Sequence, residues 1–231
     1  MADIVAVRIL KTMKEARWDR YIELLTPQKQ AKIGRFLKQD DMQRSLVAEV
    51  LLRVMIFEKL KVQNNKIELS ANKYGKPFLK GNSGFYFNIS HSGEWVVCST
   101  DESEVGIDVE EVKLIQTDNI VQNFFSVEEC SYFKGKGDSQ KLDLFYNMWT
   151  LKESFIKALG TGFSTDIRQF TILFGNPIRV RSHRLEPWFL KLYEIDSGYR
   201  LSLCTKHTNV PSAITYLSLE DLREKAETYF L

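Results

Sequence analysis

Glu153 and Lys157 put an acid and a base four residues apart in the run WTLKESFIK, residues 149–157. The run reads as helix, and residues four apart share one helical face about one turn from each other. Upstream, VGIDVE (residues 105–110) alternates apolar and polar residues as a strand does. Asp108 and Glu110 therefore point to one face. Three carboxylates and a lysine from two elements are the parts of a magnesium–phosphate site. Magnesium takes a few carboxylates, water and substrate phosphate oxygens rather than an all-protein cage. Asp108, Glu110 and Glu153 would form that incomplete shell, and Lys157 would meet phosphate. Gly106 precedes the acidic pair on the same face and is expected to leave room for a ligand. The plainer readings are a solvated strand face and a surface ion pair worth only about 0.2–0.5 kcal/mol. Phe145, Met148, Trp149, Phe155, Ile156 and Leu159 surround the helical pair and argue for burial. Buried acids and bases need partners. Lys152 lies about 100° around the helix from Glu153, placed either to help with phosphate or to reach solvent.

Other residues join by type. His91, between the hydroxyls of Ser90 and Ser92, suits an anion better than a hydrolase. Adjacent residues do not readily aim a histidine at a serine, and there is no G-x-S-x-G elbow. Lys29 and Lys32, three apart, can converge on one anion. Gly75, in the turn Tyr74-Gly75-Lys76-Pro77, lets a ligand approach the backbone. The pairs Gly135-x-Gly137 and Gly160-x-Gly162 are not phosphate loops, because neither follows a strand and opens a helix.

The blocks WTLKESFIK, VGIDVE and FNISHSG (residues 87–93) resemble the signatures of the 4′-phosphopantetheinyl transferases, most of all the Sfp type that primes bacterial nonribosomal peptide synthetases. The resemblance runs from Thr26-Pro27 to Lys157 and more faintly beyond. It implies transfer of the 4′-phosphopantetheine arm of coenzyme A to a serine of an apo peptidyl or acyl carrier protein, with Mg2+ or Mn2+, releasing adenosine 3′,5′-bisphosphate. It implies that Lys29, Lys32, Ser45 and His91 surround the 3′-phosphate, with Arg44 a further member, and that Ser90 is on the coenzyme A side. It places Lys76 at the adenine end and Glu129 beside the metal as second choice, after Glu153, for drawing off the serine proton. It implies two similar α+β halves related by a pseudo-twofold axis, with the site between them. The rivals are a carrier- or nucleotide-binding module without catalysis, and a metal-dependent phosphohydrolase.

The 231 residues suffice for two compact halves. A formal net charge of +2 argues against a nucleic-acid surface. Cys98, Cys130 and Cys204, an odd number without a CxxC pair, fit a reduced cytoplasmic chain. No signal peptide or membrane span is expected, and the enzyme is expected to act as a monomer. Patterning predicts strands over residues 4–10, 85–89, 95–100 and 105–109, with a hairpin at 90–93. Helices are predicted over 27–38, 40–60, 120–123, 127–133 and 142–159. Strands follow at 170–174, 178–180, 189–195, 199–204 and 214–217. Thr26 reads as an N-cap with Pro27 behind it, and Gly160 as a helix stop. The two halves divide at residues 1–104 and 105–231. The polar stretch 113–125 is the expected carrier-docking surface.

Overall fold

In the computed structural model, residues 1–9, 19–182 and 187–230 are described; Leu10, the end of the predicted first strand, lies outside them. The class is α+β, as expected, and the two halves share a core of one strand, three helices and a returning pair of strands. The first half has β1 (Asp3–Arg8), the short helices α1 (Asp19–Glu23) and α2 (Pro27–Ile33), and the long α3 (Gln39–Leu60). The small hairpin β2 (Leu69–Ala71) and β3 (Pro77–Leu79) follows, then β4 (Tyr86–Ser92) and β5 (Trp95–Asp101). The second half has β6 (Val105–Glu111), α4 (Asp118–Phe124), α5 (Val127–Lys134) and the long α6 (Asp138–Leu159). Then come β7 (Thr171–Leu173), β8 (Ile178–Arg181), β9 (Phe189–Tyr193) and β10 (Tyr199–Thr205). Strand order β1-β5-β4 in one sheet corresponds to β6-β10-β9 in the other.

The alternation of side chains explains how the layers stack. On β1 and β5, Val7, Val96 and Cys98 face α3, while Ile4, Ala6, Trp95 and Val97 face the other way. The second set joins Val105, Ile107 and Val109 of β6 and Leu201 and Leu203 of β10 in one core shared by both halves. The opposite face of β6, carrying Gly106, Asp108 and Glu110, is left for α6. Such period-two segregation is what a strand buried on both faces requires.

The expected division at residue 104 needs one correction. β11 (Thr215–Leu217) pairs in parallel with β1, and α7 (Leu219–Phe230) packs Leu219, Leu222 and Ala226 into the α3 core. The chain's last elements thus return to the first half. The helix predicted to reach residue 38 stops at Ile33, although Thr26 caps it and Pro27 opens it as expected. α3 is buried around its whole middle, Glu49 and Arg53 included, rather than along a stripe. Ser90, His91 and Ser92 belong to strand β4, and the hairpin turn is at Gly93 and Glu94. No helix among the described residues is long and apolar enough to cross a membrane.

Candidate active site at the junction of the two halves

The site follows from how closely α6 lies on β6. A Cβ built on Gly106 would sit 2.0 Å from the Ser154 carbonyl oxygen and 2.4 Å from the Ala158 nitrogen. The expectation that Gly106 makes room for a ligand is therefore corrected: the helix backbone fills that room. Small residues continue the contact, with Ser202 Oγ donating to the Thr150 carbonyl at 2.6 Å. This approach carries the Glu153–Lys157 face of α6 to the acidic face of β6.

There, Lys157 Nζ donates to Asp108 Oδ1 at 2.6 Å and to Ser90 Oγ at 2.9 Å. Ser90 in turn donates to Asp108 Oδ1 at 3.1 Å. Asp108 is 2% exposed, and its other oxygen, Oδ2, is buried without a hydrogen-bond partner. Ser92 donates to Glu110 Oε2 at 3.1 Å. Burial raises the Asp108 pKa against the opposing pull of Lys157 and Ser90. Burial, then the Asp108 charge, raises Glu110 to about 7. Glu153 is raised by burial and by Asp108. The Asp108 charge thus acts on both other acids, and Lys157 is the one cation that opposes the shift at all three. Among the described residues no three such ligands are drawn into a ready-made cluster. The buried orphan oxygen and the three carboxylates with raised pKa values nevertheless suit a divalent cation, which would reverse every one of these shifts.

Beside Glu153 and Lys157 opens a cavity of about 220 Å3, walled by Gly75, Pro77, Ile156 and Gly162. The turn forming one wall is stapled across the junction. Asn72 Nδ2 donates to the Gly160 carbonyl at 2.8 Å, and Lys76 Nζ to the carbonyls of Ala158 at 2.9 Å and Val105 at 3.1 Å. Burial lowers the Lys76 pKa to about 8. On the α3 side of β4, His91 has its pKa lowered by the crowding around its ring, then by Arg44, with Lys157 adding to the effect. His91 thus stands within the field of cations from both long helices.

Residues 104–204 match the family model described as the 4′-phosphopantetheinyl transferase superfamily, and residues 12–103 match 4′-phosphopantetheinyl transferase, N-terminal. The chain is 34% identical over 224 residues to 4′-phosphopantetheinyl transferase Sfp of Bacillus subtilis (strain 168), covering 95% of this chain and 99% of that one. The chain belongs to the 4′-phosphopantetheinyl transferase family. A relative from Aneurinibacillus migulanus, 4′-phosphopantetheinyl transferase gsp, is 34% identical over 201 residues, covering 86% of this chain and 84% of that one. Among solved structures, a holo-(acyl-carrier-protein) synthase from Bacillus anthracis, in complex with CoA (3′,5′-ADP), aligns at a TM-score of 0.39 and 17% identity. It covers 44% of this chain and 92% of that one.

Two sequence expectations for this phosphopantetheinyl transferase change. Glu129 does not join the Asp108 group. Its Oε1 and Oε2 receive Lys152 Nζ at 3.0 and 2.7 Å, and it also accepts from the Ser126 and Ile172 backbone N–H groups at 2.8 Å each. It caps α5 and ties that helix to α6 and β7, which leaves no lone pair aimed at the site. Lys152, expected at phosphate or solvent, is 0% exposed and spent on Glu129 and the Phe170 carbonyl. The coenzyme A candidates on α2 and α3 are more dispersed. Lys29 is held 2.9 Å from Glu49, which also pairs with Arg53. Burial opposes the Glu49 charge, but the two cations outweigh it and hold its pKa low. Arg44 donates to the Gly93 carbonyl at 2.9 Å and pairs with Asp41. Ser45 is buried, and Lys32 is exposed. Ser92, expected to flank an anion beside His91, instead holds Glu110 and the Glu111 N–H, and Asn88, which had no expected role, takes the Ile107 N–H. Their signal was present in the alternation N-I-S-H-S, residues 88–92.

Proposed function

We propose that this transferase works through the junction of its two halves, binding coenzyme A along β4 and α6 and activating the serine of an apo carrier protein there. The observation that carries this reading is Asp108: buried, tied by one oxygen to Lys157 and Ser90, its other oxygen unpartnered. Asp108, Glu110 and Glu153 would hold Mg2+ or Mn2+. When bound, the ion would offset negative charge on the pyrophosphate and on the departing group.

The chain's own residues do the rest. Lys157 lies between Asp108 and the cavity and meets phosphate by charge-assisted hydrogen bonds. Arg44 extends the cationic wall, the neutral imidazole of His91 adds a hydrogen-bond donor beside it, and Lys29, Lys32 and Ser45 serve the 3′-phosphate. Gly75 and the stapled Lys76 backbone shape the adenine end. Glu153 is the proton acceptor. It lines the cavity beside Lys157, within reach of an incoming serine hydroxyl or of a water relaying its proton. The serine oxygen forms a bond to the phosphorus bearing the pantetheine arm, the P–O bond of the pyrophosphate breaks, and the serine proton passes to Glu153 directly or through water. Adenosine 3′,5′-bisphosphate leaves.

The carrier docks on residues 113–125, where Leu114, Ile115 and Phe124 are exposed beyond the end of β6. Peptidyl and acyl carriers both fit this chemistry. One chain supplies both walls of the cleft, so the working unit is a monomer. Asp108→Ala should abolish transfer to an apo carrier at saturating coenzyme A and magnesium. Wild-type-like transfer by this variant in limiting magnesium would remove Asp108 from the metal site.

A further inference from the structure

β4 and β6 are edge strands of separate sheets, and their meeting is made by side chains. The edge of β6 presents the N–H groups of Ile107, Val109 and Glu111, every second residue. Each is taken by a β4 side chain at the same period: Asn88 Oδ1 at 2.9 Å, Ser90 Oγ at 3.3 Å and Ser92 Oγ at 3.1 Å. Without these acceptors the three N–H groups would be unpaired at a buried seam, a costly arrangement.

The serines do a second thing that asparagine does not. A hydroxyl that accepts from a backbone N–H still has its own proton to give. Ser90 gives it to Asp108 and Ser92 to Glu110, both at 3.1 Å. Each serine therefore grips residue n+1 by its backbone and residue n by its carboxylate. The corresponding residue for Asn88 is Gly106, which has no side chain to hold. Serine stands where a carboxylate must be aimed, and asparagine where none exists.

We propose that Ser92 is a positioning residue for divalent-cation binding: by bridging the Glu111 N–H and the Glu110 carboxylate it fixes Glu110 relative to Asp108, as Ser90 fixes Asp108. The seam between the halves and the aim of the ligands are then one device. This rests on the metal assignment proposed above.

Manganese titration of the protein–coenzyme A complex, with free Mn2+ counted by electron paramagnetic resonance, tests it. Ser92→Ala should weaken Mn2+ binding about tenfold, the scale of losing a partner that orients a ligand. Ser92→Thr keeps the hydroxyl on a strand that favours β-branched residues and should stay within about twofold of wild type. Asn88→Ala breaks the same seam without touching a carboxylate. It should lower the melting temperature in chelator as Ser92→Ala does while leaving Mn2+ affinity within about twofold. Wild-type affinity in Ser92→Ala, an equal loss in Ser92→Thr, or an equal loss in Asn88→Ala would each overturn the positioning role. Asp108→Ala separates the two readings: unchanged Mn2+ uptake in that variant would overturn the metal assignment itself, and the role of Ser92 with it.

Discussion

Gly106→Ala adds one methyl group at the point where α6 touches β6. The new Cβ would meet the Ser154 carbonyl oxygen at 2.0 Å, whereas ordinary contact begins at 3.4 Å, so the helix must retreat by about 1.4 Å. The obstacle is helix backbone, which cannot rotate aside as a side chain can. Lys157 donates to Asp108 at 2.6 Å, and the same retreat would open that contact to about 4 Å, outside hydrogen-bond range. Overpacking of this kind costs about 1–3 kcal/mol, and the lost charge-assisted bond adds about 1.5–3 kcal/mol. A displacement of about 1 Å at a reacting centre lowers turnover about 100-fold. The variant should therefore melt several degrees lower and transfer phosphopantetheine about 100-fold more slowly even at temperatures where it is fully folded. Thermal unfolding and a steady-state transfer assay on the same preparation give both numbers. Wild-type turnover in a folded but destabilised variant would refute the claim that the helix–strand contact sets the catalytic geometry.

Three further outcomes follow from buried charge. Lys152→Met strands Glu129 without its cation, and breaking a buried pair by one partner should cost about 3–5 kcal/mol in urea unfolding. Glu129→Gln should lower stability while leaving turnover per folded molecule near wild type, and a turnover loss comparable to that of Glu153→Gln would return Glu129 to the catalytic group. The raised acids give the metal-free protein a pH signature. A carboxyl with a raised folded pKa contributes stability that is fully present below its unfolded value and is lost as pH rises through the folded one. For Glu110 that window runs from 4.5 to about 7, and the loss is at most about 3 kcal/mol, reduced by its partial exposure. In chelator, urea midpoints of Glu110→Gln should fall less than those of wild type between these pH values; equal slopes would show that Glu110 is not held out of its ordinary range.

The elements of the candidate site were legible because their information is local. The period of two in VGIDVE and the spacing of four between Glu153 and Lys157 are properties of one strand and one helix, and the fold kept both. Thr26-Pro27 and Gly160 marked helix ends by the same local rules. What depended on distant partners was not legible. Nothing near Glu129 announces that Lys152, 23 residues on, will meet it in the interior. Nothing near Gly106 announces a helix 2.0 Å from its Cβ position. β11 pairs with β1 across almost the whole chain, which no local pattern encodes. α7 is a different case. Ser218 and Asp221 form a reciprocal capping box before it, a local signal of a helix start that the patterning of strands and helices above does not use.

The most direct test is the mass spectrum of an apo carrier protein after incubation with coenzyme A and magnesium, run with wild type and with Glu153→Gln, alongside calorimetric titration of coenzyme A into both. Wild type should add one phosphopantetheine to the carrier serine. Glu153→Gln should bind coenzyme A nearly as well yet leave the carrier unmodified over the same time, because glutamine keeps the shape but cannot take the proton. An unmodified carrier with hydrolysed coenzyme A in the wild-type reaction, or full modification by Glu153→Gln, would contradict a transfer reaction driven from the Asp108–Glu110–Glu153 site.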